Sequence, residues 1–393
     1  MTRKLYWEDP YETKFTATVL SIQENGVVLD KTLFYPESGN QSSDRGTLRT
    51  ADVEFKIEIV TKEDNEIVHN IPSEFKDKLR IGTKVAGEID WEHRYGLMKA
   101  HSSQHIFSAV LKNKYNIDTM RAILNFEDVY LQISQKIDYN QLKEVLYEVN
   151  KVFTSQNSLI SAKIIPYNQA KEIANKIRSQ IPNEPEVRLI EIENLDLVCC
   201  GGTHVQNTVE IGNIFVYDFK KGNEIRYYVG NKSVINSSDL NINLINLANG
   251  LNVSAIKLVE IVKKRLELLD ILQNKQKELS YQFLDVLSKS PNTMINDVQL
   301  FYFNFEIDIK ILNKSLDYFP QNSVIIGKIG DDKLRILSLS EKVDANGTLQ
   351  EIIRVYGGKG GGNTRSAQAA LKKMPKDLLS EIEQIINKEL GVK

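Results

Sequence analysis

The strongest constraint this sequence places on its own fold is a pair of short motifs 95 residues apart. HSSQH at 101–105 holds two histidines four residues apart, and CCGGTH at 199–204 ends in a cysteine and a histidine four residues apart. Histidines at i and i+4 of a helix lie on one face, about 5–6 Å apart at Cβ. Gly201 and Gly202 let a turn fold so that Cys200 and His204 converge. His101, His105, Cys200 and His204 together make a borderline-soft N₃S donor set of the kind that binds Zn²⁺. The chain has only five histidines and two cysteines. Three of the five and one of the two fall in these pairs, which favours one shared metal site over two coincidences. Any fold must then bring residue 101 to residue 200. Cys199 reads as a packed thiol, and His69 and His93 as surface or supporting residues.

Which chemistry such an ion would do stays open at this level. Ser102, Ser103 and Gln104 stand where a metalloprotease helix of the H-E-x-x-H kind carries its glutamate base. Four protein ligands also suit a closed, structural site, whereas a loose ligand would admit water or substrate.

With 393 residues the chain has room for two or three domains, and its net charge of −2 confines any nucleic-acid binding to local patches. The adjacent cysteines are poorly placed to bridge, the N-terminus lacks a signal peptide's apolar core, and no run of 18 apolar residues occurs. A reducing cytoplasm is the expected location. Short alternating runs (FTATVLSI, GVVLDKTLF, FKIEIVTK, IGTKVAGEID) predict a small β-barrel or curled sheet over 1–90. Residues 91–238 predict an α+β unit in which a helix carries HSSQH, strands lie at 119–126 and 129–137, and a hairpin turns at Lys221-Gly222-Asn223. Residues 239–291 read as a helical linker. Its heptad-like row Leu258, Val262, Arg265, Leu269, Leu272, Gln276, Leu279, Phe283, Val286 is apolar at seven of nine places, as in one helix of a pair or a dimer seam. Residues 292–393 read as a C-terminal α/β domain, with a helix from about Ser366. The fold class expected is α+β, multidomain.

Two glycine-bearing stretches complete the picture. FYPESGNQSSDRG (34–46) reads as a tight loop with exposed N–H groups, suited to an acyl or phosphate group or to a plain turn. YGGKGGGNTRSAQAALKKMPK (356–376) sets five glycines around Lys359. From Arg354 to Lys376 the chain has six basic residues, among them Lys359, Arg365, Lys372 and Lys373, and no acid. It is not a P-loop, but it is the best local patch for a polyanion, with a helix N-terminus expected beside it.

These stretches, in this order, resemble the AlaX-type alanyl-tRNA editing proteins in their long form, whose modules also occur in the editing half of alanyl-tRNA synthetase. FYPESGNQSSDRG is similar to that family's FYPEGGGQPSDRG loop, HSSQH to its H-T-A-Q-H, CGGTHVQNTVEIG to its C-G-G-T-H-V-x-N-T-x-E-I-G, and GGKGGG to the same motif in its DHH-associated C-terminal domain. The resemblance covers nearly the whole chain. It implies a zinc-containing hydrolase that deacylates tRNA(Ala) carrying serine, or else glycine. It also implies His101, His105, Cys200 and His204 as zinc ligands, and Gln104, Thr203 and Thr119 as candidate catalytic residues. The departures are Ser38 and Asn40 in place of two loop glycines, Ser42 in place of its proline, and Ser102 in place of a threonine. The aminoacylation half has no counterpart here, so action in trans is expected. The alternative is a tRNA-binding protein with a purely structural zinc. A second copy of the chain is a further expected partner, through the helical linker or the C-terminal domain. The Asp-His-His triplet of DHH phosphoesterases is missing.

Overall fold

The computed structural model describes residues 2–64, 66–72, 78–306, 308–330 and 332–392. They divide into two compact units, Met1–Gly250 and Leu251–Lys393.

The first unit opens with a seven-stranded antiparallel sheet. In spatial order its strands are Glu54–Ile57, Gly46–Arg49, Lys84–Ile89, Lys14–Ile22, Gly26–Leu29, Glu66–Asn70 and Val60–Glu63. Period-two alternation sends Phe15, Ala17 and Val19 inward from one strand and Val85 and Ile89 from its neighbour, onto a core with Leu29, Phe34, Leu48 and Phe55. The expected barrel does not close: the sheet keeps two edges, Glu54–Ile57 and Val60–Glu63. These edges are consecutive in the chain, so the sheet curls, yet no ladder joins them. The reason lies at Val60. Its carbonyl accepts from Glu37 N (2.8 Å) and its N–H donates to Ser43 Oγ (3.2 Å). The loop 34–46 thus occupies the seam a closing strand would need. Asp44, ion-paired with Arg94 in full burial, anchors that loop.

A 25-residue helix, α1 (Trp91–Tyr115), follows. The Asp90 side chain caps it by accepting from His93 N, and Asn116 ends it in the left-handed conformation. It is buried along most of its length, against a four-stranded antiparallel sheet ordered Thr119–Asn125, Asp128–Ile133, Glu224–Tyr228, Phe215–Lys220. A three-stranded sheet (Ile160–Pro166, Glu186–Ile192, Asp196–Cys199) completes this half, and its last strand delivers the chain to Cys200. The helix Gly230–Gly250 ends the unit.

The second unit begins with the helix Leu258–Leu287. Leu258 and Leu284 are buried, but Leu269, Leu272, Leu279, Phe283 and Val286 of the predicted row are exposed. A six-stranded mixed sheet follows, ordered Thr293–Ile295, Val298–Glu306, Ser323–Lys328, Lys333–Ser338, Ser366–Leu371, Gly358–Gly362. The helices Ala345–Tyr356 and Leu378–Glu389 share a core with Leu300, Val324 and Ile336, and the opposite layer contains Phe301, Ile311 and Ile325. The helix expected from Ser366 is a strand, in which Ala367, Ala369 and Leu371 are buried in alternation. The glycine run before it is the neighbouring edge strand, so the helix N-terminus expected at Ser366 does not form. No single helix among the described residues is long and apolar enough to cross a membrane.

Candidate metal centre

α1 and the turn after Cys199 bring the two motifs together. His101 and His105 sit one turn apart, their ring centroids separated by 4.8 Å. His204 reaches in from the turn, 4.4 Å from the His101 ring and 4.7 Å from the His105 ring. Cys200 Sγ lies 3.4 Å from Nε2 of both His101 and His204. The four donor atoms all lie within 4.8 Å of one another. A tetrahedral site with metal–nitrogen bonds near 2.0–2.1 Å and a metal–sulfur bond near 2.3 Å needs donors about 3.5 Å apart, so the residues present fit a zinc-sized ion.

The turn has this shape because its surroundings hold it. Arg188 donates from one guanidinium nitrogen to the carbonyls of Cys200 and Gly202, 2.9 Å each. Cys200 N donates to Arg188 O (3.1 Å), and Trp7 Nε1 closes over the turn onto Gly201 O (2.8 Å). At position 202 only glycine fits: a Cβ there would overlap the His101 ring and come within 3.0 Å of Gln41 Oε1.

Partners outside the cluster fix the imidazoles. His101 Nδ1–H donates to Gln41 Oε1 (2.6 Å), which leaves Nε2 facing Cys200. His204 Nδ1 is bonded to Ser102 Oγ (3.1 Å), again turning Nε2 inward. This is the outer support that metal-binding histidines use to set tautomer and ring angle. His105 Nδ1 is buried and has no hydrogen-bond partner among the described residues. Burial pushes the His101 pKa down to about 3 and those of His105 and His204 well below 6.5, so the rings are neutral, as ligation requires. Burial raises the Cys200 thiol, and the Gly202 N–H and the Arg188 charge oppose that rise; a bound cation would oppose it further.

Gln41 was missed by sequence reasoning, although it lies in a loop singled out for chemistry. Its side chain bridges His101 and Thr203, since Nε2 donates to Thr203 Oγ1 (3.1 Å). Several of the loop's backbone donors are engaged, within the loop and with neighbouring segments. Ser38 and Gln41 exchange N–H···O bonds, and Ser42 N donates to Leu124 O. Through Gln41 the loop also supports the metal centre.

The remaining candidates take distinct places. Thr203 is fully buried. Gln104 is half-buried on α1 and donates to Ser108 Oγ (2.8 Å), which in turn meets Thr119 Oγ1 (2.6 Å). Lys359, Arg365, Lys372 and Lys373 are exposed in the second unit: Lys359 in the edge strand, Lys372 and Lys373 just past its partner strand, Arg365 at the hairpin turn between them. Of the two alternatives for His69 and His93, the surface one falls away. His69 is fully buried, bonded to Thr32 Oγ1 and Val27 O, and His93 is buried against Phe126; neither is a surface residue.

Three families match parts of the chain: "tRNA synthetases class II (A)" over residues 8–93, "Threonyl and Alanyl tRNA synthetase second additional domain" over 187–226, and "DHHA1 domain" over 305–390. The second match contains Arg188, Cys200 and His204. The chain is 27% identical to the alanyl-tRNA editing protein AlaX-L of Pyrococcus horikoshii, with 100% of each chain covered. It is 26% identical to an alanine–tRNA ligase of Ignicoccus hospitalis, covering 97% of this chain and 43% of the ligase. An alanine–tRNA ligase of Saccharolobus islandicus is 31% identical over 56% of this chain and 25% of the ligase. The chain therefore spans less than half the length of these two ligases.

Proposed function

We propose that this chain, which resembles the long AlaX-type alanyl-tRNA editing proteins from end to end, is a trans-acting hydrolase that removes a wrong amino acid from tRNA(Ala). The full-length likeness to AlaX-L supports alanyl-tRNA editing as its activity class. The observation that carries the finer reading is the N₃S cluster, set beside Gln104 on one face of α1. In this reading serine is the first amino acid removed and glycine the second, and the reaction takes place in the cytoplasm.

Zn²⁺ held by His101, His105, Cys200 and His204 would supply Lewis acidity toward the ester carbonyl. The protein's own part is orientation. Gln41 and Ser102 keep two imidazoles in the ligating tautomer, Arg188 holds the turn that presents Cys200, and Thr203 anchors Gln41. Gln104 and Thr119 face the acyl group. The side chains hydrogen-bonded to the ligands (Gln41, Ser102) include no carboxylate or further imidazole. We therefore assign the proton transfer to the substrate: the free hydroxyl of its terminal ribose takes the water's proton while passing its own to the departing ribose oxygen.

The test is deacylation of Ser-tRNA(Ala) by the zinc-loaded chain and by Cys200→Ala. A loss of about 100-fold or more is expected; equal rates would overturn the role given to the centre. The rival, a tRNA-binding protein whose zinc is structural, draws on the burial of all three imidazoles, each at most 5% exposed. It predicts tRNA binding with no deacylation by either protein. We assign tRNA contact to Lys359, Arg365, Lys372 and Lys373. Lys359→Ala with Arg365→Ala should weaken binding and flatten the slope of log K against log salt by about 1.5–2; an unchanged slope rejects the assignment. We also assign the exposed apolar row of Leu258–Leu287 to a second copy of the chain. Sedimentation showing a monomer at micromolar concentration would reject that.

A further inference from the structure

Arg94, Arg178 and Arg188 are all drawn into the first unit, but they are not treated alike. Arg94 presents one edge of its guanidinium, Nε with Nη2, to both oxygens of Asp44. Arg178 presents the same edge to both oxygens of Asp196, at 2.8 and 2.6 Å. Arg188, on the strand Glu186–Ile192, is 8% exposed and has no carboxylate. Its Nη1 is taken by the carbonyls of Cys200 and Gly202. The edge that grips a carboxylate in the other two is left over. Nε is buried, and among the described residues neither Nε nor Nη2 has a hydrogen-bond partner. A buried guanidinium without a counter-charge is costly.

More positive charge gathers at the same place. Lys4 Nζ lies 3.9 Å from the centroid of the Trp7 ring, and Arg188 Cζ lies 5.7 Å from it. Trp7 is itself pinned by its bond to Gly201 O. Burial, then the charge of Lys62, then that of Arg188, push the Lys4 ammonium below its usual value; Glu184 opposes them. Like charges collected in this way repel one another unless an anion stands among them. The metal centre adds to the excess, because Zn²⁺ held by one thiolate and three neutral rings is cationic overall. Cys200 is the one ligand of the four that is not fully buried. The open side of the centre is therefore the side on which Arg188 and Trp7 stand.

We propose that Arg188, Lys4 and Lys62 form an anion subsite beside the metal centre, and that its ligand is a phosphodiester. The free Nε–Nη2 edge suits two oxygens of a phosphate as it suits two oxygens of a carboxylate, and the lysines add point charges beside it. Which diester it is rests on the hydrolase reading. There the ester at the metal hangs from the terminal ribose, and the nearest backbone phosphate is the one on the other side of that ribose. Arg188 bonds to the backbone of the ligand Cys200 itself, so the edge stands about one nucleotide's reach from the ester. The subsite would hold the link between the last two nucleotides and so set how far the chain end enters.

The experiment is calorimetric binding of the zinc-loaded full chain to the dinucleotide cytidylyl-(3′→5′)-adenosine and to its uncharged methylphosphonate analogue. The wild-type chain should bind the phosphodiester about tenfold or more tightly than the analogue, and inorganic phosphate should compete with it. Arg188 also holds the Cys200 turn, so the lysines carry the mutational test. Lys4→Gln and Lys62→Gln should each shrink the ratio about threefold, and the double variant about tenfold, with zinc content checked in each sample. Equal binding of the two dinucleotides by the wild-type chain would overturn the subsite, whether or not inorganic phosphate binds. So would a ratio unchanged in the double lysine variant. A tenfold ratio in a chain that leaves Ser-tRNA(Ala) intact would overturn the hydrolase reading and leave the subsite standing. Deacylation with a flat ratio would do the reverse.

Discussion

The stretches 34–46 and 356–371 look alike as sequence. Each sets glycines among small polar residues, and each reads as a loop for an anionic or acyl ligand. In the structure they use glycine for different reasons. Gly39 (φ +57°) and Asn40 (φ +66°) are consecutive left-handed residues, and they turn the chain so that Gln41 points into the metal centre. Gly358, Gly360 and Gly362 alternate along an edge strand. There a Cβ would overlap the backbone carbonyls of Ala370, Gln368 and Ser366 on the partner strand. At Gly39 and Asn40 the demand is a dihedral angle; at Gly358, Gly360 and Gly362, and at Gly46 against Glu88 O, a Cβ would overlap a partner-strand carbonyl. A glycine cluster records a steric demand, and only the partner chain segment says which.

The contrast is sharpest at Gly202, which sits in the turn between Cys200 and His204 and also makes a close approach. Gly202→Ala should displace the His101 ring from Gln41 Oε1. Overpacking of this kind costs about 1–3 kcal/mol, and metal content should fall well below one ion per chain by atomic absorption. Gly361→Ala, whose Cβ would have nothing nearer than 3.8 Å, should leave both values unchanged. A Gly202→Ala protein with full metal occupancy would show that the ring has room to move.

Gln41 is the next test, because it separates the loop's shape from its cargo. Gln41→Ala should keep the fold but lower zinc affinity about 10- to 100-fold, the usual cost of losing a histidine's outer partner. Gln41→Glu keeps the acceptor and should recover most of that loss. Competition with a chromophoric chelator reads both. Equal affinities for all three proteins would mean that His101 needs no partner.

How much of this was legible follows from how far each determinant reaches. The His-x-x-x-His spacing is local to a helix, and the hairpin turn at Lys221-Gly222-Asn223 is local too. Gln41 is not local: its bond to His101 spans 60 residues, and nothing near Gln41 marks it out from Asn40 or Ser42. Closure of the first sheet turned on two peptide groups of Val60 captured by Glu37 and Ser43, which no hydrophobic pattern reveals. Residues 366–371 were misread for a different reason. Ser-Ala-Gln-Ala-Ala-Leu has strong helix formers, but its burial alternates with period two, and pairing with Lys333–Ser338 on one side and the glycine strand on the other overrides propensity.

In the edge strand the same logic predicts a smaller and confined effect. Gly360→Ala puts a Cβ onto the Gln368 carbonyl and should cost the second unit about 1–3 kcal/mol. Both tryptophans, Trp7 and Trp91, lie in the first unit. Far-ultraviolet circular dichroism should therefore register an earlier unfolding step that tryptophan fluorescence does not, with zinc content unchanged. Coincident shifts of both signals would mean that the strand supports more than its own sheet.

The smallest effect is expected at Asn40, and its sign tests whether the first loop uses glycine only for its dihedral angle. Asparagine is the residue other than glycine that best tolerates φ near +60°, so Asn40 already meets the demand. Asn40→Gly relieves what little strain remains but gives the unfolded chain more freedom, and the two terms nearly cancel. The net change should stay within about 0.5 kcal/mol. Asn40→Ala has no such compensation: a left-handed alanine costs about 1–2 kcal/mol, and the loop can shed that cost only by rotating Gln41 away from His101. Denaturant midpoints should therefore rank Asn40→Gly close to wild type and Asn40→Ala below both, and zinc affinity should fall for alanine alone. If Asn40→Gly also loses zinc affinity, the asparagine side chain itself holds the loop, and the parallel with a plain glycine turn fails.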